Sequence, residues 1–317
     1  MVAPLASVIV PTLNGAHLLP DCLDSLLRQS YATVEVIVAD GASSDDTPGL
    51  LARAYPSVRL LRLRRNAGFA GNVNAGLRAA RGEVLCLLNN DARAEPDWVA
   101  MCVEALLVNP SIGSVASKVL FSDGRTINSA GDEFCRDGAA RQRGVGQPDG
   151  SRWNQPGPVF GAMGGAAAYR RAMLADVGLL DEAFFMYLED VDLAFRAQLR
   201  GWSCMYEPQA RVYHRGSASG GGRLASFYNG RNLIRLLAKD LPAGLVQSML
   251  PAILRFQARR AREALAAWRG SAARATLRGQ LSGVAGLPRH LADRRPVQQR
   301  RRVSDQALYA LLSPGAT

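Results

Sequence analysis

The sequence predicts an α/β protein whose mainly parallel sheet carries helices on both faces. In the first 110 residues, short apolar runs alternate four times with stretches in which apolar residues recur at helical spacing. Parallel strands joined by crossover helices have this order. The apolar runs are continuous rather than alternating, as expected of strands that are buried on both faces. Three of the runs end in polar residues, at positions 12–14, 40–41 and 89–91, and ligands bind beyond this edge of such sheets.

Each element follows from its own pattern. The four buried strands are predicted at residues 7–10, 34–39, 58–63 and 84–88. The helices between and after them have apolar residues three and four positions apart and are predicted at residues 18–27, 45–55, 70–80 and 96–107. Beyond residue 110 the less regular pattern predicts strands at 112–120 and 211–213, a helix at 189–200, and basic helices after residue 241. Glycine-rich composition predicts a mobile loop at 138–157 and a hinge at 220–222.

Composition narrows the class of protein. A length of 317 residues with 21% charged residues is ordinary for a folded globular protein. The five cysteines show no metal-like spacing, so we expect reduced and mostly buried thiols in a cytoplasmic protein. The start of the chain lacks the basic segment of a signal peptide, and no apolar run approaches roughly 18 residues. We therefore expect neither a secretory leader nor a membrane span.

The net charge of +11 is concentrated at the end of the chain. Residues 239–317 contain 14 Lys and Arg against 4 Asp and Glu, whereas the first 238 residues are nearly neutral. Basic amphipathic helices are suited to an anionic membrane surface. A solvated helical cap and a nucleic-acid-binding tail are the alternatives, and the second is disfavoured because few aromatic residues lie among the charges.

The first candidate for chemistry is Asp91, which directly follows a buried strand and the pair Asn89-Asn90. Hard divalent cations bind oxygen ligands, often one or two carboxylates together with substrate phosphates. Asp91 could equally cap a loop. His214 follows another strand and precedes a glycine-rich turn, and an imidazole can complete a carboxylate metal site, although a lone histidine is more often structural.

The second candidate is a run of carboxylates at the start of a predicted helix, Glu189, Asp190 and Asp192. One interpretation is structural: acidic residues stabilise a helix N-terminus, and Asp192 pairs with Arg196 one turn later. The other is a general base that removes a proton from an attacking hydroxyl. The helix N-terminus and a nearby metal are expected to lower the pKa of that base.

The sequence lacks the glycine-rich motifs of other nucleotide-binding enzymes. Residues 65–72 form a Gly- and Asn-rich turn at a helix start, where backbone N–H groups can face a polar ligand. This turn lacks P-loop spacing, and no GxGxxG follows the first strand. A sugar-nucleotide pyrophosphorylase would be expected to carry a glycine-rich loop there, where this chain has Pro-Thr-Leu-Asn.

Several segments together resemble family 2 glycosyltransferases of the glycosyltransferase-A fold. They occur in the family's order and spacing within residues 5–235, and the resemblance is greatest to bacterial rhamnosyltransferases and galactofuranosyltransferases. The matching segments are SVIVPTLNG (7–15), VIVADGASSDDT (36–47), RNAGFAGNVNAG (65–76), LLNNDA (87–92), GAMGG (161–165), LDEAFFMYLEDVDLAFR (180–196) and VYHRGS (212–217).

The resemblance implies a role for each matching position. The nucleotide-sugar contacts that it implies are Pro11, Thr12, Asn14, Asp40, Asn66, Gly68, Asn74, Asn89, Asn90 and Asp91. It implies that Asp91 and His214 bind Mg²⁺ or Mn²⁺ and that Asp190 is the catalytic base. It also implies that Glu189, Gly164 and Gly165 form the acceptor side. The family's metal motif is often Asp-x-Asp, and Asn89 replaces its first carboxylate here.

These observations lead to one expected function. We expect an inverting, metal-dependent glycosyltransferase that moves a sugar, with L-rhamnose from dTDP-rhamnose the best guess, to a glycan or lipid-linked acceptor. UDP-galactofuranose and UDP-N-acetylglucosamine are alternative donors. We expect a catalytic domain at 1–235, with a nucleotide-binding half at 1–110 and an acceptor half at 111–235, and a basic membrane-associating region at 236–317.

The expected location is the inner face of the plasma membrane, where the protein would be peripheral, with no nucleic-acid partner. The alternative from another class is a non-catalytic adaptor that uses the basic tail. An adaptor would not require Asp91, Asp190 and His214 to lie close together, whereas a metal-bridged diphosphate and a base must act on one bond.

Overall fold

A computed structural model describes residues 3–216 and 222–315. It confirms the α/β class and the alternating elements of the first hundred residues. The strands are β1 (Ala6–Thr12), β2 (Val34–Asp40), β3 (Arg59–Arg62), β4 (Val84–Leu88), β5 (Ala92–Ala94), β6 (Ile112–Phe121), β7 (Ile127–Ser129), β8 (Asp132–Phe134), β9 (Ala140–Gln142), β10 (Gly157–Val159), β11 (Ala166–Arg170) and β12 (Ser203–His214). The helices are α1 (Leu19–Leu27), α2 (Thr47–Ala54), α3 (Gly68–Ala79), α4 (Trp98–Val108), α5 (Arg171–Val177), α6 (Glu189–Leu199), α7 (Gly222–Lys239), α8 (Ala243–Ala266), α9 (Ser271–Ala285), α10 (Leu287–Gln299) and α11 (Asp305–Ala310).

The central sheet is parallel in its first half and mixed in its second. Its path runs β10-β12-β6-β11-β4-β1-β2-β3, and β5 and β7 pair at its side with β12 and β6. Strands β4, β1, β2 and β3 are parallel, as predicted. Strand β11 is antiparallel to both neighbours, β4 and β6. This insertion joins the two halves into one sheet.

Apolar side chains cover both faces of the sheet, which explains the continuous apolar runs. On one face, β1 and β4 pack with α1, α2 and α4 around Trp98 and Leu23. On the other face, the same strands pack with α3, α5 and α6 around Ile9 and Leu87. All seven residues of β1 are buried. The carboxyl ends of β1 and β4 therefore open at one edge of a doubly covered sheet.

Two predictions for the second half of the chain are corrected. The strand predicted at 211–213 is the end of the twelve-residue β12, whose pairing with β6 is interrupted near Glu207. The segment predicted as a mobile loop at 138–157 contains β9 and a 3₁₀ turn, Ser151–Trp153. The buried Lys118 ammonium donates to Asp149 at 2.7 Å and to Asn154 at 2.6 Å, and this ion pair fixes the segment.

The C-terminal helices begin earlier than predicted. Helix α7 starts at Gly222 rather than after residue 241 and runs without interruption across the predicted domain boundary at 235/236. It packs against α9 and α10, while α8 packs against α9 and α11. Of the predicted hinge, residues 220–221 lie outside the described residues, as does Ser217. None of the helices in residues 3–216 and 222–315 is both long enough and apolar enough to cross a membrane.

The cysteines are as predicted. Cys22, Cys86, Cys102, Cys135 and Cys204 are all buried and unpaired. Burial raises the pKa of the Cys86 thiol to about 12. At neutral pH this thiol is protonated and packs as a small apolar group.

Candidate active site

A cavity of about 780 Å³ opens at the carboxyl ends of β1 and β4. Segments distant in sequence form its walls because β11 and β12 place the second half of the chain beside β4. Most of the residues predicted for a site line it. These are Pro11, Thr12, Asn14, Asn66, Gly68, Asn89, Asn90, Gly164, Gly165, Glu189, Asp190 and His214.

The wall at the strand ends consists of neutral polar groups. The carboxamide of Asn90 donates to the Thr12 hydroxyl at 2.8 Å and thereby joins the ends of β4 and β1. The carboxamide oxygen of Asn14 accepts from the backbone N–H of Ser44 at 2.8 Å. Asn14 has a left-handed backbone, with φ of 52°, a conformation in which asparagine is enriched. This wall can offer hydrogen bonds to a polar ligand without adding negative charge.

The turn at residues 65–72 brings the start of α3 to the cavity. The side-chain oxygen of Asn66 accepts from the Gly68 N–H at 2.9 Å. Gly68 has a φ of +75°, and a Cβ there would lie 2.4 Å from the carbonyl oxygen of Phe185. Only glycine fits at this position, because the turn packs directly against the loop that precedes α6.

Three predicted nucleotide contacts, Asp40, Asn74 and Asp91, are not among the residues that line the cavity, although Asp91 contacts His214, which does. Asn74 is buried, and its carboxamide bonds both the backbone carbonyl and the N–H of Leu180. It holds α3 against the second half of the chain, so its predicted contact with base or ribose is corrected to a structural role. Asp40 is fully buried at the end of β2 and accepts from the Ser43 N–H at 3.0 Å. Its second oxygen receives no hydrogen bond from the described residues and lies 3.7 Å from Arg62.

Asp91 and His214 meet because β5 pairs with the end of β12, where His214 lies opposite Ala92. The carboxylate Oδ1 of Asp91 lies 3.0 Å from the Nε2 atom of His214. The side-chain oxygen of Asn128 accepts from Nδ1 of His214 at 3.0 Å, so in the neutral ring Nε2 presents a lone pair. No described residue donates a hydrogen bond to Asp91 Oδ1.

This pair fits a hard divalent cation. Two electron-rich atoms that face each other in a buried place need a proton or a cation between them. A carboxylate oxygen and an imidazole nitrogen are ligands for Mn²⁺ or Mg²⁺, and the hydrogen bond to Asn128 orients the ring. Within the described residues, no group of three or more His, Cys, Asp or Glu side chains could hold a metal. Asp91 and His214 would therefore need further ligands from a substrate diphosphate.

Carboxyl groups form another wall of the cavity. Asp190 Oδ2 accepts from the backbone N–H of Gly164 at 2.8 Å, and Oδ1 accepts from the N–H of Val191 at 2.8 Å. Glu189 is buried beside it, and Asp132, at the start of β8, also lines the cavity. Neither Asp132 Oδ2 nor Glu189 Oε2 is hydrogen-bonded within the described part of the chain.

The electrostatics of this wall contradict the prediction that the pKa of the base is lowered. Burial raises the pKa of Asp190, and the hydrogen bonds from Gly164 and Val191 only partly offset the rise. Burial and the charge of Asp190 raise the pKa of both Glu189 and Asp132 well above the usual carboxyl range. Asp190 thus ionises next to protonated neighbours, and its raised pKa makes it a stronger base than an ordinary aspartate.

The loop before α6 is strained and held in place from a distance. Phe185, Tyr187 and Leu188 have positive φ values of 66°, 66° and 68°, which are unfavourable for side chains of this size. The buried Asn232 of α7 donates from its side chain to the carbonyl oxygens of Phe184, Met186 and Tyr187 at 3.0, 2.9 and 2.8 Å. These bonds fix the backbone that presents Glu189 and Asp190.

Sequence reasoning missed several of these residues. No sequence signal distinguishes Asp132, which lies in a three-residue strand. Asn128 and Asn232 act through His214 and the strained loop, from positions 86 and about 46 residues away in the chain. Phe69 and Asn72 also line the cavity, and they lie inside a turn that the sequence does single out.

A profile of glycosyl transferase family 2 matches residues 7–178, more than half of the chain. The chain belongs to glycosyl transferase family 2. The matched segment contains β1 to β11, including the strand ends that carry Thr12, Asn90 and Asp91. Asp190 and His214 lie beyond it, and the fold brings them to the same cavity.

Individual relatives agree with the family. The chain is 30% identical over 246 residues to an N-acetylglucosaminyl-diphospho-decaprenol L-rhamnosyltransferase of Mycobacterium tuberculosis, which covers 70% of this chain and 79% of the relative. It is also 30% identical over 230 residues to an uncharacterised protein, y4gI, of Sinorhizobium fredii. That match covers 69% of this chain but only a quarter of the relative's length.

Solved structures agree on the fold. A mannosyltransferase from Pyrobaculum calidifontis, solved with GDP-Man and Mn²⁺, superimposes with a TM-score of 0.57 at 21% identity, covering 98% of this chain and 79% of that one. GalNAc-T7, solved with UDP, GalNAc and Mn²⁺, gives 0.59 at 16% identity, covering 74% and 48%. The glycosyltransferase therefore has the glycosyltransferase-A fold that its sequence motifs imply, and the non-catalytic adaptor is not favoured.

Proposed function

We propose that this glycosyltransferase moves a sugar, with inversion, from a nucleoside diphosphate to a hydroxyl of a glycan or lipid-linked acceptor. One observation carries the proposal: His214, which contacts Asp91 at 3.0 Å, and Asp190 line a single cavity. A leaving diphosphate and an attacking hydroxyl must lie on opposite sides of the carbon that is transferred. The Asp91–His214 pair and Asp190 supply the chemistry that each side needs.

Asp190 is proposed as the base. Each carboxylate oxygen keeps a lone pair beyond its bond to Gly164 or Val191, so it can accept a hydrogen bond from the acceptor hydroxyl. The hydroxyl oxygen forms a bond to the anomeric carbon, its proton passes to Asp190, and the bond to the nucleoside diphosphate breaks. A single displacement from the opposite face inverts the configuration.

Asp91 and His214 are proposed to hold Mg²⁺ or Mn²⁺. When bound, the cation neutralises negative charge on the departing diphosphate as a Lewis acid. Asn89 replaces a carboxylate of the usual motif, and its amide lies 3.4 Å from His214 Nε2. The chain itself orients the imidazole of His214 through Asn128. It also keeps Asp91 Oδ1 buried, with no hydrogen-bond donor from the described residues.

dTDP-rhamnose is the proposed donor, supported by the name of the mycobacterial relative. That relative's name also includes a diphospho-decaprenol, which supports a lipid-linked acceptor. UDP-galactofuranose and UDP-N-acetylglucosamine are the competing donors. Thr12, Asn14 and the turn at Asn66 are proposed to contact the nucleotide, with Glu189, Gly164 and Gly165 on the acceptor side.

The donor is tested by nucleotide release from a panel of dTDP-, UDP- and GDP-sugars, with Mn²⁺ or Mg²⁺ and with EDTA. Release of one nucleotide that requires metal and is lost in Asp91→Ala is expected. Glu104→Ala removes an exposed carboxylate in α4 and is the matched control, expected to behave like wild type. Failure of every nucleoside diphosphate to bind, with or without metal, would overturn the proposal.

We further propose that the C-terminal helices dock on an anionic membrane at the cytoplasmic face. Along α8, exposed apolar side chains recur on one side at Leu250, Leu254 and Leu265, and the exposed Trp268 follows in the turn after the helix. Exposed arginines flank them, among them Arg255, Arg262 and Arg269. An apolar stripe bordered by cations complements a surface of anionic lipids.

Sedimentation with vesicles tests this docking. Binding to phosphatidylcholine vesicles with phosphatidylglycerol, weaker binding without it, and loss in Leu254→Glu/Trp268→Glu are expected. Equal binding to both vesicles would contradict the charge argument. A dimer in solution that the double substitution dissociates would instead make this stripe an interface between two copies.

A further inference from the structure

A second cavity, of about 420 Å³, lies between α7, α8 and α9 beside the first. Ala140, Leu188 and Asn229 line both cavities. Leu188 is two residues before Asp190, so this shared wall lies within about 7 Å of the backbone of the base. A ligand in the second cavity would therefore lie next to an acceptor group that is bound beside Asp190.

The second cavity contains a cation, Arg260, that makes no ion pair with a carboxylate in the described part of the chain. Arg260 of α8 lies half-buried in its wall, over the ring of Phe256 at 5.8 Å. Within the described residues, its guanidinium has no hydrogen bond and no ion pair. By contrast, the nearby Arg235 of α7 bonds Asp181 and Asp293 at 2.7 and 2.8 Å. A half-buried guanidinium with five N–H donors and no acceptor is an incomplete arrangement.

The rest of the lining favours an anion. Among the residues that the structure describes, no Asp or Glu lines this cavity. Its polar lining groups are Ser226, Asn229 and Thr276, each of which bonds a backbone carbonyl within its own helix. Asn229 still has a second N–H on its amide, and the Ser226 hydroxyl can rotate. Burial lowers the pKa of Arg260, and the negative charge of Glu263 partly offsets that change. An anion bound in the cavity would further stabilise the charged guanidinium.

We propose that this cavity binds the phosphate or diphosphate ester of the acceptor, through Arg260. The inference rests on the proposed transfer to a lipid-linked acceptor and assigns its charged group to a place in the fold. In such an acceptor the phosphate is joined to the sugar that carries the reacting hydroxyl. Arg260 lies in the cavity that shares a wall with the one containing Asp190, so it can bind this phosphate while the hydroxyl lies beside the base. Guanidinium groups bind phosphate oxygens with paired hydrogen bonds.

Calorimetric titration with farnesyl diphosphate tests the site without knowledge of the acceptor sugar. The protein is first saturated with UDP and Mn²⁺, so that the donor side does not take up the probe. We expect saturable binding that falls roughly tenfold or more in Arg260→Gln. Arg260→Lys should recover part of the affinity for farnesyl diphosphate. Farnesol lacks the diphosphate, so its affinity for wild type and for Arg260→Gln should be about the same.

Arg259→Gln is the matched control. Arg259 is an exposed neighbour that also lies over Phe256, at 5.5 Å, and its loss changes the net charge equally. Its affinity for farnesyl diphosphate should equal that of wild type. UDP affinity should be unchanged in both variants, which shows that they fold. If Arg260→Gln does not fold, inorganic pyrophosphate is added to wild type that has bound farnesyl diphosphate. The proposal predicts that pyrophosphate displaces the probe, and a failure to displace it would overturn the proposal.

Several results would overturn the inference alone. They are no binding of farnesyl diphosphate by wild type, equal affinity in wild type and Arg260→Gln, or equal losses in Arg260→Gln and Arg259→Gln. A parallel loss of binding to phosphatidylglycerol vesicles in Arg260→Gln would mean that Arg260 binds membrane headgroups and not the acceptor. Failure of the proposed transferase activity is recognised separately, because wild type would then bind no nucleoside diphosphate.

Discussion

Asp190 and Asp192 lie on two sides of the first turn of α6, and their surroundings differ more than the sequence indicates. Asp190 faces the cavity, bonds only backbone N–H groups, and has a pKa that burial raises. Asp192, two residues later, faces the protein interior and bonds both Arg196 and Lys239. Burial alone would raise its pKa too, but these two cations lower it. The difference shows that charged partners, not position at a helix N-terminus, decide what each carboxylate does.

The structural interpretation of the acidic run is confirmed for the pairing of Asp192, whereas the general-base interpretation stays a prediction for Asp190. The predicted pair between Asp192 and Arg196 is present at 2.7 Å. Lys239 of α7 also bonds Asp181 at 2.7 Å, so the network joins α6 to the C-terminal helices. Within the described residues, no cation is paired with Asp190, whose hydrogen bonds come from backbone N–H groups. A carboxylate held by two cations is a poor base, whereas a buried carboxylate without them is a good one.

The largest expected effect on stability is that of Asp192→Asn. Removing Asp192 leaves the buried Arg196 without its carboxylate partner and Lys239 with only Asp181, and breaking a buried ion pair in this way costs about 3–5 kcal/mol. Urea unfolding at pH 7 measures the loss. Because the pKa of Asp192 is lowered by folding, its contribution is present above the pKa of an unfolded aspartate, about 3.9, and disappears as pH falls through the folded value. The difference between wild type and variant should therefore shrink in acid.

Asp190→Asn is the matched comparison in the same unfolding experiment. Its carboxyl has a raised pKa and no cation, so its replacement should leave the free energy of unfolding at pH 7 unchanged or higher. If Asp190→Asn destabilises the protein as much as Asp192→Asn, the proposed difference between the two sides of the helix is wrong.

The next effect concerns the strained loop. Asn232→Ala removes the bonds to the carbonyls of Phe184, Met186 and Tyr187, so the loop can relax and move Asp190. We expect kcat to fall roughly tenfold to a hundredfold, since small misplacements of a catalytic group have effects of this size. The affinity for the nucleotide, measured by titration, should be unchanged. Equal losses in kcat and nucleotide affinity would indicate general unfolding instead.

The smallest effect is a shift in pH dependence. Burial raises the pKa of Asp190, so turnover should fall with decreasing pH at a value above the 3.9 of an ordinary aspartate. Asp132→Asn replaces a neighbour that is already neutral when Asp190 is ionised, so this limb should stay in place. A move of the limb to lower pH in Asp132→Asn would show that Asp132 carries charge during turnover.

The sequence predicts what local patterns determine. The apolar runs predict β1, β2, β3 and β4, and their polar ends predict the edge where the cavity opens. The ends of strands and the start of a helix mark Asp91, His214 and the acidic run at 189–192 as candidates, and only the resemblance to family 2 glycosyltransferases selects Asp190 within that run. These features depend on neighbours within about ten residues, and periodicity and turn chemistry report on such neighbours.

The remainder depends on contacts between distant segments. The pKa of Asp190 rises because folding buries its carboxyl group, and no local rule reports that burial. Asn74 resembles a ligand contact in sequence, but the fold places it against Leu180. Asn232 lies in a helix whose start the sequence pattern places after residue 241. Long-range packing determines all three.

The most direct test of the account is transfer activity per folded molecule in Asp190→Asn and Asp192→Asn, measured as nucleotide release with the active donor and acceptor. We expect Asp190→Asn to bind the donor normally but to lose about 10²- to 10⁴-fold in turnover, while the folded Asp192→Asn molecules keep most of their turnover. An Asp190→Asn variant that retains more than about a tenth of wild-type turnover, outside the range for acid–base catalysis, would contradict the account.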